Sequence, residues 1–86
     1  MAKKVEIFTM EVCPYCVQAK NLMDRHDIAY EEVRIDQIEN GRELVIEKTG
    51  GLRTVPQILV DGEHIGDENA LFKMERDGTL KENLVG

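Results

Sequence analysis

The chain has 86 residues, of which 42% are hydrophobic and 33% charged, and its formal net charge is −6. That length suits one small core, so a single domain over residues 1–86 is expected, and the composition fits a packed protein better than a disordered one. The acidic balance disfavours nucleic acid as a partner, because such binders need clustered Lys and Arg to displace counterions from phosphates; solubility accounts for the charge.

No apolar run approaches the roughly 18 residues needed to span a bilayer. The start, Met1-Ala2-Lys3-Lys4-Val5, leads straight into a strand pattern without a signal-peptide apolar region, so a cytoplasmic protein with no membrane partner is expected. Lys4 to Thr9 alternates Val5, Ile7 and Thr9 against Glu6 and Phe8, which predicts a first strand. A helix follows from Pro14 to about Arg25. Pro14 is harmless in the first turn, and Cys16, Ala19, Leu22 and Met23 fall on one face.

Tyr30 to Ile35 predicts a second strand. A second helix is expected over residues 38–49, with Leu44, Val45 and Ile46 supplying its buried face and Gly50-Gly51 its left-handed exit. Gln57 to Val60 and Glu63 to Ile65 flank Asp61-Gly62, a dipeptide suited to the positive φ angles of a two-residue hairpin. Asp67 can cap a helix that runs through Ala70, Leu71 and Met74 to Asp77-Gly78, and Thr79 to Leu84 adds a short helical tail with Leu80 and Leu84 one turn apart. The order is β-α-β-α-β-β-α. A helix between the first two strands makes them parallel and the hairpin makes the last two antiparallel, so the predicted sheet is four-stranded and mixed, with helices on its faces: an α/β fold.

Two cysteines carry the chemistry. Cys13-Pro14-Tyr15-Cys16 places one sulfur at the mouth of a helix and the other a turn inside. Unpaired N–H groups and the helix dipole favour a thiolate at Cys13, the expected attacking sulfur, while the less exposed Cys16 can resolve a mixed disulfide. A structural staple closing so short a loop adds little stability, and cytosolic thiols are kept reduced. Zinc is the main rival, but it wants four ligands. Only His26, at the far end of the first helix, and His64, in the hairpin, are available, so no metal is expected and both histidines are read as partly exposed surface residues. Thr54-Val55-Pro56 leads a strand, where a proline is compatible with a cis bond that leaves the Val55 backbone free for an extended thiol peptide; such prolines alone are mostly edge punctuation, but beside the cysteines this one means more.

With those residues in place, the whole chain resembles the glutaredoxin family. Cys13-Pro14-Tyr15-Cys16, Thr54-Val55-Pro56-Gln57 and Gly62-Glu63-His64-Ile65-Gly66 occur in that family's order and spacing. The resemblance implies a thioredoxin fold, a cis Pro56 facing the sulfurs, glutathione bound along Thr54 and Val55, and reduction of disulfides or glutathione mixed disulfides with glutathione as electron donor and no bound cofactor. It also marks Cys13 as nucleophile and Cys16 as resolving thiol. Tyr15 is placed to stack on an incoming thiol substrate, while Phe8, Phe72, Met23 and Met74 are core.

The chain departs from the family at several positions. Met10 stands where members usually carry a Lys three residues before the first cysteine, and Glu11 would oppose thiolate formation if turned toward sulfur. Arg42 falls where members often bind a carboxylate, and an ordinary solvated helix residue is an equal alternative. The Gly-Gly-x-Asp-Asp turn that cradles the γ-glutamyl end of glutathione reads Gly66-Asp67-Glu68-Asn69-Ala70 here. Helix N–H groups still face that end, but Asp67 and Glu68 bring negative charge and Asn69 cannot neutralise an ammonium; Asp67 is first a cap. The expectation is therefore a monomeric dithiol oxidoreductase acting on disulfide-containing client proteins. Met10, Asp67 and Glu68 favour the alternative, a redoxin fed by a flavoprotein disulfide reductase. A third option is an iron–sulfur or metal carrier, and Pro14 counts against it.

Overall fold

The computed structural model describes residues 3–86. Its elements are β1 (Val5–Thr9), α1 (Pro14–Arg25), β2 (Glu31–Arg34), a single 3-10 turn (Ile35–Gln37), α2 (Gly41–Thr49), β3 (Gln57–Val60), β4 (Glu63–Gly66), α3 (Glu68–Asp77) and α4 (Leu80–Leu84). The strands lie in the order β2-β1-β3-β4. β1 and β2 are parallel, with Phe8 opposite Val33, and β1 and β3 are antiparallel, with Ile7 opposite Ile58. This is the predicted mixed sheet.

Strand alternation sends β1 side chains to two separate cores. Val5 and Ile7 join Ile58 and Val60 on one face, where α1 supplies Ala19, Leu22 and Met23 and the C-terminal helices supply Leu71, Leu80 and Leu84. On the other face Phe8 and Leu59 meet Ile35 and Val45. Phe72 and Met74 pack against the first cluster as partly buried neighbours. Because both faces are covered, all four residues of β3 are buried, including the polar Gln57.

The second helix is shorter than the sequence predicts. Ile38 has extended backbone and Asn40 a left-handed one (φ 59°), so α2 begins only at Gly41. Gly41 is buried against the 3-10 turn, and a Cβ there would lie within 3.0 Å of three Ile35 backbone atoms. That approach, rather than helix propensity, sets the start of α2. The buried helical positions are Gly41 and Val45, whereas Leu44 and Ile46 are only partly buried. The second strand also stops one residue early, because Ile35 turns inward to begin the 3-10 turn.

The hairpin matches its prediction. Asp61 and Gly62 have φ of 52° and 83°. The Asp61 carboxylate also accepts the Lys4 backbone N–H at 2.8 Å, and the Asp61 N–H donates to the Lys4 carbonyl at 2.8 Å, tying the turn to the start of β1.

Candidate active site

Cys13 is the N-cap of α1 and Pro14 its first residue; Pro can stand there because the first N–H groups of a helix have no intrahelical acceptor. Cys13 and Cys16 form a disulfide with Cα atoms 5.2 Å apart. The Cys16 backbone N–H donates to Cys13 Sγ at 3.2 Å, and the Val17 N–H donates to the Cys13 carbonyl at 3.1 Å. When the bridge is reduced, that N–H and the helix dipole both favour negative charge on Cys13. No acidic residue stands in the first turn of α1 to oppose it. Cys16 is almost fully buried (1%), while Cys13 is partly exposed.

The Val55–Pro56 peptide bond is cis, and the Val55 carbonyl oxygen lies 3.9 Å from Cys13 Sγ. Beside it a cavity of about 380 Å³ is lined by Tyr15 from α1, by Thr54, Val55 and Pro56, and by Asp67, Glu68 and Asn69 at the start of α3. A larger cavity, of about 460 Å³, lies along β4 near His64 and Met74. Neither cysteine lines either cavity, but the smaller one is lined by Val55, whose carbonyl oxygen approaches Cys13 Sγ.

The structure thus brings Tyr15, Thr54, Val55, Pro56, Glu68 and Asn69 together in one groove, but not Arg42 or Gly66. The Arg42 guanidinium donates to the Arg53 carbonyl and sets Nη2 3.6 Å from Met10 Sδ. A positive charge therefore stands against the side chain at the position where the family's usual lysine is replaced by Met10. Gly66 serves packing, since a Cβ there would lie 2.7 Å from that of Ala70. Glu11 is exposed, and its charge helps hold the Arg34 guanidinium protonated, after the larger contribution of the Asp36 hydrogen bond.

Asp67 does two things at once: it lines the groove and caps α3, accepting the Asn69 N–H at 3.0 Å. Burial, and then the neighbouring Asp67 charge, push the Glu68 carboxyl above its ordinary range. Sequence reasoning missed a polar relay behind the groove. Buried Gln57 donates to Thr54 Oγ1 at 3.1 Å and accepts from His64 Nε2 at 2.8 Å, so His64 is no ordinary surface residue. One polar side chain leading an otherwise apolar strand was the available signal. His26 pairs instead with Glu75 at 2.8 Å, and among the described residues no cluster of three or more His, Cys, Asp or Glu is arranged to hold a metal ion.

A redox disulfide at a helix mouth, a cis-proline loop beside it and a mixed four-stranded sheet beneath define a thioredoxin-fold thiol–disulfide oxidoreductase. Comparisons with known proteins narrow the class. The glutaredoxin family model matches residues 5–65, and the chain belongs to the glutaredoxin family. It is 42% identical over 81 residues to glutaredoxin 1 of Rickettsia felis, covering 93% of this chain and 79% of that protein. It is also 42% identical over 76 residues to glutaredoxin 3 of Escherichia coli, covering 88% and 90%. Among solved structures, a buckwheat glutaredoxin–glutathione complex superposes with a TM-score of 0.84 at 30% identity, over 95% of this chain and 76% of that one. The solution structure of a Brucella melitensis glutaredoxin gives 0.83 at 31%, over 96% and 89%.

Proposed function

We propose that the protein reduces disulfides of client proteins and glutathione mixed disulfides, with Cys13 as nucleophile, Cys16 as resolving thiol and glutathione as electron donor. The observation that carries this is the asymmetry of the pair: Cys13 is partly exposed at the groove and accepts a helix N–H, while Cys16 is sealed beneath it.

In the first step the Cys13 thiolate attacks one sulfur of the substrate disulfide, forming a mixed disulfide and expelling the other sulfur as a thiolate that takes a proton. The Cys16 thiolate then attacks Cys13 Sγ, closing the internal bridge and releasing the second substrate thiol. The substrate gains the two electrons that the dithiol loses. Two glutathione molecules reverse the change and leave as glutathione disulfide. Thr54, Val55 and Pro56 hold the substrate backbone next to the sulfur, and Tyr15 covers its flank.

One observation favours a second electron source. The Asp67 carboxylate already occupies the Asn69 N–H at the start of α3, which weakens that helix end as a glutathione carboxylate site and suits reduction by a flavoprotein disulfide reductase. Measuring reduction of a small disulfide with glutathione and glutathione reductase, then with thioredoxin reductase, separates the two. Turnover with the first system alone is expected; turnover with only the second would transfer the assignment to the flavoenzyme.

A further inference from the structure

A buried amide stands behind the groove, between Thr54 and the edge strand. Gln57 leads β3, is 1% exposed and lies opposite Phe8 in the sheet. A side-chain amide in such a place needs a partner for its oxygen and another for its nitrogen, because an unmet buried group costs more than a hydrogen bond returns. His64 on β4 meets the oxygen at 2.8 Å, and Thr54 meets the nitrogen at 3.1 Å. The two contacts fix a direction. The amide oxygen has only lone pairs, so His64 Nε2 carries the proton; the amide nitrogen has only protons, so Thr54 Oγ1 accepts. Thr54 thus gives a lone pair to Gln57 and keeps its own proton, and it stands in the groove wall, whereas His64 lines the separate cavity along β4. Were the amide turned over, its oxygen would face Thr54 and take that proton. His64 opposes the turn by supplying the oxygen with a donor on its own side; without it, the donor left in the relay is the Thr54 hydroxyl.

We infer that His64 and Gln57 are positioning residues for disulfide reduction: from behind the groove they hold the Thr54 hydroxyl as a donor toward a peptide oxygen of the substrate. The inference rests on disulfide reduction at Cys13. Protein segments and glutathione both carry such oxygens beside their cysteine, so the relay serves either.

The test oxidises the reduced protein in a single turnover with two disulfides: that of acetyl-Ala-Cys-Ala-amide, which offers peptide oxygens, and cystamine, which has no oxygen atom. Each second-order rate constant is divided by that of dithiothreitol, which removes intrinsic differences in disulfide reactivity. The normalised preference for the peptide over cystamine is expected to fall about fivefold in His64→Phe, Gln57→Met and Thr54→Val, the worth of one hydrogen bond. Thr54→Ser keeps the hydroxyl and should keep the preference. His64→Phe should react with cystamine as fast as the natural chain, which a merely structural loss would not allow. Because the three residues act in series, the double variant H64F/T54V should show no lower preference than Thr54→Val alone. A preference left intact by His64→Phe, an equal fall on both disulfides, or additive losses in the double variant would each overturn the inference while leaving disulfide reduction standing. Should Gln57→Met not fold, His64→Phe, at a partly exposed position, decides alone. A natural chain that reduces neither disulfide overturns both readings.

Discussion

Cys13 and Cys16 share one turn of helix yet face different surroundings, and the difference decides what each substitution should do. Cys13 stands at the groove with a backbone N–H aimed at its sulfur, so Cys13→Ser removes the only thiol a substrate can reach first. Turnover of every disulfide should fall to background. Cys16 is buried, and Cys16→Ser leaves the first attack possible but removes the group that ends it. Such a variant should stall as a mixed disulfide with protein clients, visible as a mass increase equal to the client thiol, and keep part of its activity on glutathione mixed disulfides, which a second glutathione can resolve. Undiminished turnover by Cys13→Ser would remove the assigned roles.

At the scale of elements, the start of α2 has the sharpest consequence. Gly41 lies so close to the 3-10 turn that a methyl group must displace the Ile35 backbone rather than a flexible side-chain tip. Gly41→Ala gains helix propensity, yet it should lose about 2 kcal/mol in urea unfolding, because overpacking outweighs the propensity gain of less than about 1 kcal/mol. An unchanged urea midpoint would contradict that close approach. The same region shows where sequence reasoning stops. α1 was legible because Pro14 and the spacing of Cys16, Ala19, Leu22 and Met23 report the same face, and the hairpin because Asp61-Gly62 dictates its own turn. α2 was overextended because Ile38 looks like a helix-face residue, while its extended backbone and the tight Gly41 contact are tertiary facts. In the site, Cys13, Cys16 and the cis Val55–Pro56 bond could be anticipated from motifs. The Gln57–His64 link could not, since it joins neighbouring strands through a side-chain geometry that no spacing rule encodes. Asp67 was legible as a cap, and the resemblance already put its charge at that end of the site; its place in the groove wall agrees with both.

For the whole molecule, the balance of perturbed carboxylates sets the response to acid. The hydrogen bonds from Lys20 and then Thr9 hold the Glu32 carboxyl below its ordinary value, and Asp36 and Glu75 are lowered chiefly by Arg34 and His26. A carboxyl lowered on folding binds fewer protons in the native than in the unfolded chain. Its contribution is present above about pH 5 and is lost as pH falls through the lowered native value. Glu68 runs the other way: raised on folding, its carboxylate opposes the native state at neutral pH, and protonation relieves that cost. Three lowered groups against one raised group give a protein whose stability falls as pH drops below about 5 and through the lowered native values. Glu32 is the lowered carboxyl that reaches into the sheet, since the Thr9 hydroxyl donating to it at 2.7 Å belongs to a fully buried residue. Glu32→Gln should therefore cost about 1 kcal/mol at pH 7 and converge with the natural chain as pH falls through the lowered native value, where the carboxyl is protonated in both states. Glu68→Gln should be at least as stable as the natural chain at pH 7 and likewise converge in acid. Urea midpoints recorded from pH 7 to pH 3 for the three proteins decide the matter: parallel curves would mean that neither carboxyl feels the fold, whereas convergence from opposite sides identifies Glu32 as a group the fold stabilises and Glu68 as one it strains.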